Sequence, residues 1–416
     1  MPTARLGQRC WNSGSSRPRG NFGSSLSRID RSAHEDECQL QLGIEDELRI
    51  TLNYPMFAAK EGPAWFRRGC ETADRLKHKV GVLLVVNVKG RTVPLDDYET
   101  DSVTTEFLSN KELDDFISGF ERAGIYCEAV VDEAGFSEWL AGGKSRFGRP
   151  VPLVYNLAQN GTGAARLTLI PALCRMHRLL LVDADGYSAA LDQHKFHCIS
   201  LLENFGLPVA RSWWFTARGW WPVRPPACLR VIAKPTYECA SIGVHKENVS
   251  EVDAHIEERM AALAKRFRQP ITVQEFVPGF EVEVPVLDAE QARAWLAVGI
   301  ELNGRRNLQN AILAYDDVFG DGYGFYDFAE QDPAAAARMM EIAQKAHLGL
   351  GCAGPVRIDF RVSAEDGPKV MEVNCKPHLT LHSSFMFALR TIGCSHAELL
   401  KFLVGSAASR HGLDSV

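Results

Sequence analysis

The sequence predicts an α/β protein of more than one domain, and three observations carry that expectation. Strand-length apolar runs, led by Val80 to Val86 (VGVLLVV), alternate with stretches whose apolar residues recur at helical spacing. Apolar runs without alternation belong to strands covered on both faces, as in a parallel sheet. Later in the chain, two apolar runs meet around Asp366-Gly367, which reads as a hairpin. The chain has 416 residues, and at roughly 100–200 residues per domain that gives two or three domains.

Composition excludes several other classes. Hydrophobic residues make up 46% and charged residues 24%, too balanced for a chain disordered throughout. The net charge of −6 leaves no global basic field, so nucleic acid is not an expected partner. No apolar run approaches the ~20 residues a membrane span needs, so a membrane is not expected either. The eleven cysteines are odd in number and scattered, with no Cys-x-x-Cys pair, which predicts reduced thiols in a cytoplasmic protein. Residues 1–29 differ from the rest: five arginines, six serines, four glycines and no acid. The arginines do not alternate with an apolar face, so residues 1–45 are expected to be a disordered tail. A targeting segment or a start placed too far upstream are the alternatives.

The elements follow in order from about residue 46. After the Val80–Val86 run, Ser109 with Glu112 forms a capping box. Leu113, Phe116, Ile117 and Phe120 then mark a helix that Gly124 ends. Strands are expected over 125–131, 151–157 and 179–182. Residues 195–206 read as a helix stopped by Gly206-Leu207-Pro208, and a strand over 229–233 runs into Lys234-Pro235. Ser250 is expected to cap a helix carrying Val252, Ile256, Met260, Leu263 and Phe267. Strands follow over 271–277 and 281–287. Pro333 opens an Ala-rich helix, and the hairpin strands lie over 356–362 and 369–373.

Chemistry concentrates in three blocks. In Arg357-Ile358-Asp359-Phe360-Arg361, alternate residues share one strand face, as do Glu372 and Asn374 on the next strand. The hairpin sets those faces side by side. Two carboxylates, an amide and an arginine inside a sheet are costly to bury without a partner. Magnesium, which takes hard oxygens and shares its shell with phosphates, is a natural one, and a salt-bridged polar sheet face is the alternative. The second block, Val231 to Val244, delivers Lys234 at a strand end before a turn of small residues, an arrangement suited to phosphate oxygens. The third, Val273 to Val284, offers a strand edge to an adenine, Phe276 to pack near the base and Glu281 to accept from ribose hydroxyls. An ordinary hairpin would look the same.

Taken in this order and at these separations, the three blocks resemble the D-alanine–D-alanine ligase branch of the ATP-grasp superfamily over roughly residues 150–405. The stretch Asn374 to Ser384 (NCKPHLTLHSS) is similar to that family's Asn-x-x-Pro-Gly-(aliphatic)-Thr-x-x-Ser, with His378 at the glycine position. The resemblance implies an ATP-grasp fold, α+β in its nucleotide-binding part, behind an N-terminal Rossmann-like domain. The expected division is a tail over 1–45, an N-terminal α/β domain over 46–186, a central subdomain over 187–275 and a C-terminal catalytic subdomain over 276–416. ATP would lie between the last two. By resemblance, Lys195 and Lys234 contact nucleotide phosphates, Glu275, Phe276 and Val277 hold adenine, and Glu281 holds ribose. Asp359, Glu372 and Asn374 ligate magnesium, Arg357 stabilises the reacting carboxyl, and Ser383 grips the acceptor's carboxylate.

The implied activity is ATP-dependent carboxylate–amine ligation through an acyl phosphate, with ATP and magnesium as cofactors. A small-molecule carboxylate donor and an amine acceptor, amino acids by expectation, would be the partners. The oligomeric state stays open, a homodimer among the options. Departures set the donor apart. The first loop, Val85 to Arg91, lacks the glutamate that holds the amine of D-alanine, and Ala240 replaces a serine. Gln331 and Asp332 stand where a lid Lys-Tyr pair should follow residues 325–328. A phosphotransferase and a nucleotide-binding module without catalysis are the competing expectations.

Overall fold

The computed structural model of the protein describes residues 62–318 and 322–415. The expected tail and the start of the first domain lie outside the described residues. Three sheets organise the rest. The first holds β1 (Val80–Val86), β2 (Cys127–Val131), β3 (Val151–Asn156) and β4 (Leu180–Leu181), all parallel in the order β2-β1-β3-β4. Every residue of β1 is buried, which accounts for its unbroken apolar run. The helix Asn110–Arg122 starts at the expected capping box. The Ser109 hydroxyl accepts from the Glu112 N–H, and the Glu112 carboxylate accepts from the Ser109 N–H at 2.7 Å.

Against this layer pack two helices from opposite ends of the described chain, Ala64–Leu76 and His396–Arg410. Phe66 stacks on Phe402 with ring centroids 4.8 Å apart. The helices cross so closely at Gly405 that a Cβ there would lie 1.8 Å from the Gly69 carbonyl oxygen.

The second sheet is antiparallel, with β5 (Ser212–Thr216), β6 (Gly219–Trp221), β7 (Arg230–Pro235), β8 (Val249–Glu251) and β9 (Ile271–Glu275) in the order β6-β5-β9-β7-β8. Ser250 does not cap a helix. It pairs with Val231 in the β7–β8 ladder, and the helix begins at Ile256. The sheet edge claims this backbone before the helical period starts, and Ile256 and Met260 then cover the sheet as expected.

The third sheet contains β10 (Phe280–Asp288), β11 (Ala292–Ala294), β12 (Val298–Leu302), β13 (Tyr323–Asp327), β14 (Pro355–Ser363) and β15 (Gly367–Asn374). Its order is β13-β12-β10-β14-β15, antiparallel throughout, with β11 on β10. Alternation sorts β14. Val356, Ile358 and Phe360 are fully buried in a core shared with the helix Pro333–Gly349, and Arg357, Asp359 and Arg361 take the opposite face. Among the described residues, no helix is long and apolar enough to cross a membrane. The nine described cysteines are unbridged.

Candidate functional site

A cavity of about 410 Å³ opens on the polar face of the third sheet, with residues of the second sheet on its other side. The register of three neighbouring strands builds its floor. Glu283 of β10 pairs with Asp359 of β14, which pairs with Glu372 of β15. One step along, Pro285, Arg357 and Asn374 form the next row. The hairpin expected from sequence therefore does set Arg357, Asp359, Glu372 and Asn374 on one surface, and all four line the cavity.

These charges are paired. The Arg357 guanidinium donates to both oxygens of Asp359 at 2.7 and 2.8 Å, and the Asn374 amide donates to Asp359 at 2.9 Å. Burial would discharge Arg357, but Asp359 and Glu283 beside it hold its pKa above the ordinary value. Glu372 meets two lysines from elsewhere in the chain. Lys195, at the head of the helix Lys195–Asn204, donates to it at 2.8 Å, and Lys234 of β7 lies 3.9 Å away. Lys195 also donates to the Glu238 carbonyl. Burial pushes the Glu372 carboxyl up, yet the two lysines outweigh it and hold the carboxyl below its usual range. Lys234 goes the other way, since burial lowers it more than Glu372 restores it. Glu281 pairs with Arg361 at 3.1 Å. Arg361 also donates to the carbonyls of Val277, Gln309 and Ala311.

The donor set fits a divalent cation. Asp359 and Glu372 oppose each other in register with Asn374 adjacent, offering hard oxygens and two negative charges that only side-chain cations now balance. No group of three or more His, Cys, Asp or Glu side chains placed to hold a metal occurs among the described residues.

Of the other expected residues, Phe276, Val277 and Ser383 line the cavity. Glu275 is the exception. Its carboxylate turns to Arg211 at 3.0 and 3.2 Å and lies 3.7 Å from Lys369, outside the lining. Ser383 caps the helix Ser384–Thr391: its hydroxyl accepts from the Met386 N–H and donates to the Thr380 carbonyl at 2.8 Å. After β7, Ala240 and Ser241 both adopt left-handed backbone, at φ 46° and 57°. Such geometry costs non-glycine residues about 1 kcal/mol or more each and is kept where a loop has a task. After β13 a single 3₁₀ turn, Phe328–Glu330, leads into the helix Pro333–Gly349, so that connection is short. Residues of the β12–β13 connection border the cavity instead, through Ile312 and Leu313.

Sequence reasoning missed four acidic or phenolic groups at this cavity. Glu283 was findable, since it shares a strand face with Glu281 two residues before it. Burial pushes its carboxyl up to about 7, against the opposing pull of Arg357. Tyr323 heads β13 beside Glu283 and Arg357. Asp192 and Glu106 had no local signal. Burial raises Asp192 to about 8 despite Lys195 nearby. Glu106 sits at 6% exposure 3.9 Å from Arg166, and burial raises it to about 7. Trp213 is buried, and Trp214 stacks on Phe196.

Residues 201–405 match the family model described as D-ala D-ala ligase C-terminus. A D-alanine–D-alanine ligase of Bordetella petrii is 32% identical over 183 residues, 44% of this chain and 53% of that one. One of Anaeromyxobacter dehalogenans is 31% identical over 185 residues, 44% of this chain and 56% of that one. The chain thus spans about half the length of the curated relatives it matches. Among solved structures, the VanG D-Ala:D-Ser ligase of Enterococcus faecalis superposes with a TM-score of 0.57 at 18% identity, covering 79% of this chain and 99% of that one. A D-alanine–D-alanine ligase of Bacillus anthracis complexed with ATP gives 0.57 at 11% identity, over 80% and 99%. At such identities the likeness is one of fold, the ATP-grasp fold of these ligases.

Proposed function

From a chain that has the ATP-grasp fold and resembles the D-alanine–D-alanine ligase branch over its C-terminal half, we propose an ATP-dependent carboxylate–amine ligase. It joins a donor other than D-alanine to an amine acceptor, making an amide or dipeptide through an acyl phosphate. The observation that carries the reading is the surface of Arg357, Asp359, Glu372 and Asn374 facing the buried Lys195 and half-buried Lys234 across one cavity. Nucleotide binding alone does not require all four.

Lys195 and Lys234 exchange Glu372 for phosphate oxygens when ATP enters. Phe276, Val277 and the Ile312–Leu313 segment bracket the base, and Glu281 faces the ribose. Asp359, Glu372 and Asn374 would hold magnesium, whose charge would offset that of the phosphates. A donor carboxylate oxygen attacks the γ-phosphate and ADP leaves, and the acceptor amine then attacks the acyl carbon and expels phosphate. Arg357 stabilises the oxyanion, an effect worth about 3 kcal/mol at such sites. Ser383 holds a carboxylate on the acceptor. The donor side departs from the family pattern: Lys89 lines the cavity in the first loop, and Ala240 carries no hydroxyl. The free cysteines suit a reducing compartment, and we assign the protein to the cytoplasm.

The test is an ADP-release screen over pairs of amino acids with mass spectrometry of the products. An amide product with stoichiometric ADP is expected. A phosphorylated product without amine would identify a phosphotransferase. Nucleotide binding without ADP formation in any pair would leave a binding module. Complementation of a bacterium lacking D-alanine–D-alanine ligase is expected to fail, and robust growth would overturn the assignment of the donor.

A further inference from the structure

Three of the four carboxylates that the third sheet turns toward the cavity have a cation of their own. Glu281 has Arg361 at 3.1 Å, Glu372 has Lys195 at 2.8 Å, and Asp359 holds Arg357 through both oxygens at 2.7 and 2.8 Å. Glu283 has only a share of that same Arg357, at 3.5 Å, together with the Ser384 hydroxyl. Its side chain is 14% exposed. A carboxylate this sheltered from water and without a full partner is costly, and a cation placed beside it recovers that cost.

The surroundings say which cation. Glu283 lies next to Arg357, where the reacting carboxyl is stabilised, and against Ser384, at the start of the helix that Ser383 caps. It therefore stands between the acyl carbon and the acceptor's carboxylate. Tyr323 and His382, with ring centroids 5.2 Å apart, line the cavity beside it. An α-amino acid seated on Ser383 carries its ammonium within a few ångströms of its carboxylate, and Ser384, which bonds Glu283, is the next residue.

We infer that Glu283 holds the ammonium group of an amino-acid acceptor beside the acyl carbon. The inference rests on the ligase reading and deepens it. Binding comes before the chemistry. The ammonium first gives one proton to solvent, and the freed lone pair forms the bond to carbon as the carbon–oxygen bond to phosphate breaks. Phosphate leaves with the electron pair, and the nitrogen's second proton follows the first to solvent. Opposite charge positions the nucleophile and favours amines that arrive protonated.

Hydroxylamine separates this role from the rest of the site, because at neutral pH it is largely uncharged and traps acyl phosphates as hydroxamates. The full chain is assayed with magnesium-ATP and a mixture of the common L-amino acids, D-alanine and D-serine. Dipeptides are read by mass spectrometry and hydroxamates by ferric colour. Glu283→Gln should lower dipeptide formation tenfold or more, about 1.4 kcal/mol, while hydroxamate yield falls less than twofold. Glu283→Asp, which keeps the charge, should recover part of the dipeptide yield. Equal loss of both products would place Glu283 with the metal or donor groups and overturn the inference, as would no loss of dipeptide. Absence of both products from the unaltered protein would overturn the ligase reading itself, a result distinct from either.

Discussion

Glu372→Gln tests the centre of the site through two independent readouts. In the structure this carboxylate is the counter-charge for two sheltered lysines, 2.8 Å from Lys195 and 3.9 Å from Lys234, with side chains 7% and 13% exposed. Removing one member of a buried ion pair costs about 3–5 kcal/mol when the other is left charged. Glutamine still accepts from Lys195, and Lys234, already lowered by burial, can release its proton. The lower figure, about 3 kcal/mol, therefore applies, and the nucleotide-free variant should melt several degrees earlier. With ATP the loss is of another kind: on the proposed function a magnesium ligand disappears, and ADP release should fall by about 10³-fold, close to 4 kcal/mol of barrier. Magnesium-ATP should raise the melting temperature of the unaltered protein clearly and that of the variant little. Differential scanning fluorimetry and a coupled ADP assay read these effects. Full ADP release would remove Glu372 from the catalytic site, and an unchanged melting temperature would refute the counter-charge argument.

Ser383→Ala should remove a helix cap worth about 1 kcal/mol. It should also raise the acceptor KM about tenfold, for a hydrogen bond to a charged group worth about 1–3 kcal/mol, with the ATP KM unchanged. Earlier melting with an unaltered acceptor KM would make Ser383 a cap only. Asp192 titrates at about 8 when folded against 3.8 ordinarily, mainly through burial. The folded chain therefore holds a proton that the unfolded chain has lost between those values, and stability falls as pH rises through that window. Asp192→Asn should flatten this fall in melting scans from pH 5 to 8, and parallel curves would refute it. Gly405→Ala would set a Cβ 1.8 Å from the Gly69 carbonyl and force two helices apart. A loss of about 1–3 kcal/mol in denaturant melts is expected, with the ATP KM unchanged.

Local order was legible in the sequence. Alternation on β14 and β15 told which side chains share a face, because the pleat repeats every two residues whatever surrounds it. The unbroken run of β1 told that both faces are covered, and Ser109 with Glu112 marked a helix start through bonds spanning three residues. Partnerships across the chain were not legible. Lys195 meets Glu372 across 177 positions, and nothing in either neighbourhood encodes the other. Glu275 and Glu281 looked alike as strand acids. Only the placement of Arg211 and Lys369 draws the first out of the cavity, and only Arg361 keeps the second at its wall. Glu283 shows the same division. Its face followed from its spacing to Glu281, but its want of a cation depends on Arg357 being taken by Asp359. Periodicity assigns a side chain to a surface. Whether a buried charge finds a partner there is set by long-range packing, whose free energy no short stretch of sequence contains.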